Sequence, residues 1–93
     1  MAKYRKKPIV IDAVQWEGTT ESWESIMAMG DIRWEPGEMG SLSFSIQTID
    51  GNYAKISKGV WVCKGIKGEF YPCQPDIFDA TYELEAGPAE QGR

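Results

Sequence analysis

The stretch Lys58–Tyr82, KGVWVCKGIKGEFYPCQPDIFDATY, constrains this chain more than any other. Val60-Trp61-Val62-Cys63 is a β-branched and aromatic run bounded by Gly59 and Gly65, the composition of a short strand. Strand side chains alternate between faces, so Val60 and Val62 share one face and Trp61 and Cys63 the other. Neither face is polar, which predicts a strand covered on both sides or lying under a loop. Lys64-Gly65-Ile66-Lys67-Gly68 supplies turn residues and Glu69-Phe70-Tyr71 starts a second strand, a hairpin with a five-residue connection. Pro72 ends that strand, because proline cannot donate to a ladder. Pro75 suits the first turn of a helix, with Asp76 and Asp79 near its positive end. Ile77, Phe78 and Tyr82 then form the buried side of one or two helical turns. A final strand over Thr81–Leu84 is the alternative.

The hairpin tip is the candidate binding site. Glycine reaches φ > 0 without steric cost, so a connection with two glycines can turn backbone N–H groups toward an anion. Lys64 and Lys67 flank it with positive charge. A phosphate or carboxylate seat is one reading; a tight turn with solvated lysines is the other, and the commoner outcome. A Gly-x-x-Gly quartet is far less specific than a full nucleotide-binding loop. Trp61, Phe70 and Tyr71 lie beside the lysines in sequence, and aromatic faces stack on bases while lysines meet phosphates. The ligand-binding set read from the sequence is Trp61, Lys64, Gly65, Lys67, Gly68, Phe70 and Tyr71, although rings in a small domain serve the core first.

Residues 1–85 read as one domain, and the small, polar residues 86–93 as a flexible tail. At 42% hydrophobic and 26% charged, the composition is that of an ordinary folded domain. No apolar run is long enough for a membrane span, and the basic start lacks a signal-peptide layout, which predicts a cytoplasmic protein. The net charge of −4 is unevenly spread. Lys3, Arg5, Lys6 and Lys7 form a basic start; from Pro8 to Asn52 there are eight acids and one base, Arg33. From Tyr53 to Gly68 there are four lysines and no acid. General nucleic-acid binding wants a broad positive face, so this distribution argues against it and leaves room for a compact anionic ligand. Cys63 and Cys73, the only two cysteines, are expected as free thiols in a reducing compartment.

Taken in order, Pro8–Trp16 reads as the first strand and a central one, led by the basic arm. Gly18-Thr19-Thr20 offers a helix cap, and a helix over about Glu21–Met29 puts Trp23, Ile26 and Met27 on one apolar stripe before Gly30. Ile32 and Trp34 suit a short edge strand before the turn at Pro36-Gly37, with Trp34 either a stacking platform or, the better fit, a lid over the core. Ser41–Ile49 alternates Leu42, Phe44 and Ile46 inward against serines and Gln47 outward; Asp50-Gly51 turns the chain and Tyr53–Ile56 returns. The fold class is α+β: a small, mainly antiparallel sheet or partly rolled barrel with one amphipathic helix packed on it.

The opening Tyr4-Arg5-Lys6-Lys7-Pro8-Ile9-Val10-Ile11-Asp12-Ala13-Val14-Gln15-Trp16 and the stretch Lys58–Tyr82 together resemble a family of small phage and prophage proteins. Their usual pattern is a start like YRKKPVVIEAVQW and an end like GDWIIKGVKGEFYPCKPDIFEKTYE. Lys58-Gly59-Val60-Trp61 replaces the usual Pro-Gly-Asp-Trp, and Gln74 stands where lysine is frequent, which removes one acid and one base near the hairpin. The resemblance implies a phage product made inside its bacterial host. It implies no catalytic assignment.

Hydrolytic chemistry asks for a base poised near neutrality, an activated nucleophile or a metal. The chain has no histidine. Asp76 and Asp79 have the spacing that capping also produces, and neither cysteine has an imidazole partner. The reading is therefore a non-enzymatic binding protein with no metal and no cofactor. Its expected ligand is a small anionic nucleotide-like molecule, such as a cyclic nucleotide or cyclic ADP-ribose immune signal of the host, captured at a homo-oligomer interface. The alternative is an accessory protein–protein module that docks on a host or virion protein through its hydrophobic hairpin and sheet edge.

Overall fold

A computed structural model of the chain describes residues 1–4 and 9–83. The basic arm Arg5–Lys7 and the tail over residues 86–93 lie outside the described residues. The elements are β1 (Asp12–Gln15), α1 (Thr20–Met27), β2 (Trp34–Pro36), β3 (Phe44–Gln47), β4 (Tyr53–Ile56), β5 (Trp61–Lys64), β6 (Phe70–Cys73) and α2 (Pro75–Thr81). They form two antiparallel three-stranded sheets, ordered β1-β5-β6 and β2-β3-β4. The α+β class holds, and among the described residues the sheets do not close into a barrel.

Among the described residues β5 is central in the first sheet and β1 is an edge, in contrast to the central place expected for the first strand. Val62 and Cys63 of β5 are fully buried, as a middle strand requires, whereas Asp12 at the start of β1 is exposed. Pro72 lies inside β6, opposite Val62, where the sequence reading ended the strand. An edge strand tolerates proline because its missing N–H faces away from the ladder.

Register divides the first sheet into two chemically different faces. Val14, Val62 and Pro72 align across it, as do Lys64 and Phe70, so these residues share one face. Ala13, Cys63 and Tyr71 align, as do Gln15, Trp61 and Cys73, on the other. The first face packs toward β3 and β4 and, with α1, encloses the core of Trp16, Ile26, Ile32, Phe44, Ile46, Ile56, Val60, Val62 and Phe70. Fully burying a side chain such as Ile26 contributes roughly 1.5–3 kcal/mol, so this cluster holds the two sheets together.

Helix α1 is fixed at its start by Thr19, whose side chain accepts from the Ser22 N–H while the Ser22 hydroxyl accepts from the Thr19 N–H. This reciprocal cap satisfies two orphan amides and explains why Ser22 is buried. The stripe is as the spacing predicts: Ile26 is fully buried, and Trp23 and Met27 pack on the core. Trp23 meets Trp34 edge-to-face at 4.7 Å, which makes Trp34 a lid at the core margin.

Leu42 is 58% exposed and does not point inward with Phe44 and Ile46. It precedes the strand, and its carbonyl is taken by the Trp16 indole N–H. The turn after β3 is held by Asp50, whose carboxylate accepts from the Thr48 hydroxyl and the Asn52 N–H, and Gly51 there takes φ 90°. Helix α2 starts at Pro75 and covers the second face of the first sheet; none of its residues is fully buried. Ile77 is 56% exposed, so its burial expected from spacing does not occur.

Candidate functional site

The hairpin between β5 and β6 has the five-residue length expected but lies one residue later, at Gly65–Glu69: Lys64 belongs to β5 and Glu69, expected to start the second strand, lies in the connection. Three of its backbone donors are already spent. Gly65 N–H donates to the Glu69 carbonyl at 2.7 Å and Gly68 N–H to the Gly65 carbonyl at 3.0 Å. Lys67 N–H donates to the Glu69 carboxylate at 2.9 Å. An anion is thus present at the tip, and it is the chain's own. A Cβ at Gly65 would meet the Glu69 carboxylate, the movable end of a side chain, and Gly68 turns with φ 81°.

The seven residues read from the sequence do not converge. Lys64 points from the core face toward α1, where its ammonium donates to the Met29 carbonyl at 2.8 Å and sits 5.9 Å from the Phe70 ring centre. Met29 lies just beyond the Ala28 cap of α1, so the ammonium ties β5 to the segment that leaves the helix, and its place in the fold is structural. Phe70 is buried in the core. Lys67 and Gly68 are exposed at the tip, with Ile66. Trp61 and Tyr71 lie on the opposite face from Lys64 and Phe70, on the side of α2. The grouping of rings with ammonium groups holds in sequence and is divided by the alternation of the strands.

What the second face builds is a ring stack and a groove. The Trp61 and Phe78 rings are 3.9 Å apart and 6° from parallel, and Tyr82 tilts against Phe78 at 5.1 Å. The Tyr82 hydroxyl lies 3.4 Å from that of Tyr71, and desolvation, then this contact, pushes the Tyr71 phenol well above its ordinary pKa. Beside the stack runs an open groove of about 650 Å³, lined by Ile9, Val10, Ile11, Asp12, Ala13, Trp61, Phe78, Asp79, Tyr82 and Glu83. The volume falls in the range of ligand sites, about 300–1,000 Å³. Its floor is apolar and aromatic; Asp79 and Glu83 are exposed carboxylates on its α2 side, Asp12 aligns with Lys64 on the other face of the sheet, and among the described residues no lysine or arginine lines the groove. Of the sequence-predicted set only Trp61 lines the groove.

The remaining groove residues were missed because they come from the two ends of the described chain. Phe78 and Tyr82 at i and i+4 were the available signal, and they pack on the strand as that spacing allows. Nothing local in Ile9-Val10-Ile11 marks it as groove wall.

Cys63 and Cys73 are free thiols on the same second face. Burial pushes Cys63 up to about 12, with a smaller contribution from Cys73. Cys73 is raised as well, by burial and then by Asp76. Both are held as neutral thiols, the opposite of an activated nucleophile. Among the described residues no group of three or more Cys, Asp or Glu side chains is arranged to hold a metal, and no helix is long and apolar enough to cross a membrane. Comparison with family models, curated proteins and solved structures finds no match for this chain.

Proposed function

We propose that the protein is a non-enzymatic binding module that acts in the bacterial cytoplasm as a phage-encoded accessory protein, and that its site is the groove between β1 and α2. One observation carries the reading: an apolar, ring-floored groove lies open beside an edge strand, with Val10 at 70% exposure and Ile9 at 45% on its wall. Apolar side chains grouped in this way beside a free sheet edge are what an interaction surface offers. The support is for docking another protein. A polyanionic nucleotide meets the carboxylates of Asp79 and Glu83 in this groove and, among the described residues, no base. The nucleotide-capture reading relies on Lys64 and Lys67, one of which is bonded to Met29 and the other exposed at the tip.

The two readings separate in one pair of measurements. Titration with the neutral apolar dye N-phenyl-1-naphthylamine is expected to give saturable binding to the wild type and Lys67→Ala alike, and binding about tenfold weaker or worse to Val10→Asp. Native mass spectrometry with cyclic nucleotides and cyclic ADP-ribose species is expected to show no retained ligand. Intact nucleotide retained by the wild type and lost in Lys67→Ala would reverse the choice.

A further inference from the structure

The walls of the groove belong to two parts of the fold. Ile9 to Ala13 come from β1 and its approach and Trp61 from β5, whereas Phe78 and Asp79 come from α2, with Tyr82 and Glu83 just beyond its end. The α2 wall is the more lightly attached. None of the helix residues is fully buried and Gln74 gives it no side-chain cap. Gln74 is also the single residue between β6 and α2, extended at φ −65° and ψ 146° as a residue before proline is. Rings hold the helix down: Phe78 lies on Trp61, Tyr82 tilts against Phe78, and the Tyr82 hydroxyl meets that of Tyr71. Cys63 lies on the face that α2 covers, directly opposite Tyr71, and is fully buried there.

Resting on the reading of this groove as the binding site, we infer that α2 is a lid: it lifts from the first sheet about Gln74 while both sheets and α1 stay folded, and an occupant of the groove holds it shut. The core that joins the two sheets contains no α2 residue, so lifting the helix leaves that core intact. Elements that bury little apolar surface open at a free energy well below that of global unfolding. When lifted, α2 uncovers Trp61, Cys63 and Tyr71 and takes one wall of the groove away with it. An occupant that touches both walls binds the closed form and not the open one, and so draws the equilibrium toward closed by mass action. The linkage runs both ways, because affinity falls in proportion to the fraction of closed molecules. The lid decides when the groove exists.

Alkylation of Cys63 reports the lid. In the full chain carrying Cys73→Ala, iodoacetamide has one thiol to modify, and mass spectrometry follows the reaction. Modification is expected to be far slower than in the urea-unfolded chain. Its rate should be nearly independent of urea below the unfolding transition, because lifting one short helix exposes little surface. Phe78→Ala, which removes a ring from the attachment, is expected to raise that plateau about tenfold. N-phenyl-1-naphthylamine at about ten times its own Kd is expected to slow the reaction about tenfold. A rate that climbs steeply from the lowest urea concentrations would show that only global unfolding reaches Cys63, and would overturn the lid. A plateau that Phe78→Ala leaves unchanged, or a rate equal to that of the unfolded chain, would overturn it as well. Dye that binds by its own fluorescence titration yet gives no protection would overturn the coupling between occupant and lid. Failure of the dye to bind would instead remove the groove reading and that coupling, while the urea plateau and Phe78→Ala still decide whether α2 lifts.

Discussion

The ring of Phe78 lies flat on the indole of Trp61, 3.9 Å away and 6° from parallel, and this stack, with the Tyr71–Tyr82 hydroxyl contact, holds α2 on the first sheet. No α2 residue is fully buried, and the helix has no side-chain cap at Gln74, so little else fixes it. The stack forms both the anchor of the helix and the floor of the groove.

Phe78→Ala should therefore loosen α2 without unfolding the core. A half-buried ring and its stacking partner together are worth about 1–2 kcal/mol, whereas Ile26→Ala, at a fully buried site, should cost about 2–5 kcal/mol. Urea denaturation gives the two values, and amide hydrogen exchange should quicken over Pro75–Thr81 in Phe78→Ala alone. Equal losses in the two variants would mean that α2 belongs to the main cooperative unit.

Lys64 is placed in the fold and not in the site. Lys64→Met removes the bond to the Met29 carbonyl, with a loss of about 1 kcal/mol for a partly exposed charged donor. It should leave dye binding in the groove unchanged. Gly30→Ala should be worse, because its Cβ would come 3.1 Å from the Phe70 ring. Thermal melts of the two variants beside dye titrations check both statements; weaker dye binding in Lys64→Met would return the lysine to the site.

Much of this fold is legible in the sequence, because it is written in local patterns. A threonine cap at Thr19 or Thr20, the Trp23–Ile26–Met27 stripe, the turn at Asp50-Gly51 and a five-residue hairpin each follow from a few neighbouring residues. The site is not legible in the same way. Lys64, Lys67, Phe70 and Tyr71 are close along the chain, yet the period of two along each strand sends Phe70 and Tyr71 to opposite faces, and the Glu69 carboxylate takes the Lys67 amide that an anion would need. The groove joins Ile9–Ala13 to Phe78–Glu83, a contact across the length of the chain that no local pattern announces. Edge or centre for β1 is likewise a matter of topology, since Asp12–Gln15 has the same alternation in either place.

The thiol of Cys63 gives a pH dependence with a definite sign. Its folded pKa is pushed up to about 12 from an ordinary 9.0, so between those values the unfolded chain releases a proton that the folded chain keeps. Stability is then unaffected below about pH 9 and falls as pH rises above it, by roughly 1–2 kcal/mol near pH 10.5 at about 1.4 kcal/mol per pH unit. Cys73 and Tyr71 are raised as well and act in the same direction. Urea midpoints at pH 8.5 and 10.5 should differ less in Cys63→Ala than in the wild type. The same loss in both would show that Cys63 contributes nothing to the alkaline limb.

The central claim is that binding takes place in the groove between β1 and α2 and not at the hairpin tip. Titrating the ¹⁵N-labelled full chain with N-phenyl-1-naphthylamine, and following every amide and the Trp61 indole N–H, tests it directly. The account predicts that the signals of Val10, Asp12, Asp79 and the Trp61 indole shift together along one binding curve while Ile66, Lys67 and Gly68 stay in place. Shifts centred on Ile66–Gly68, with the groove silent, would contradict it.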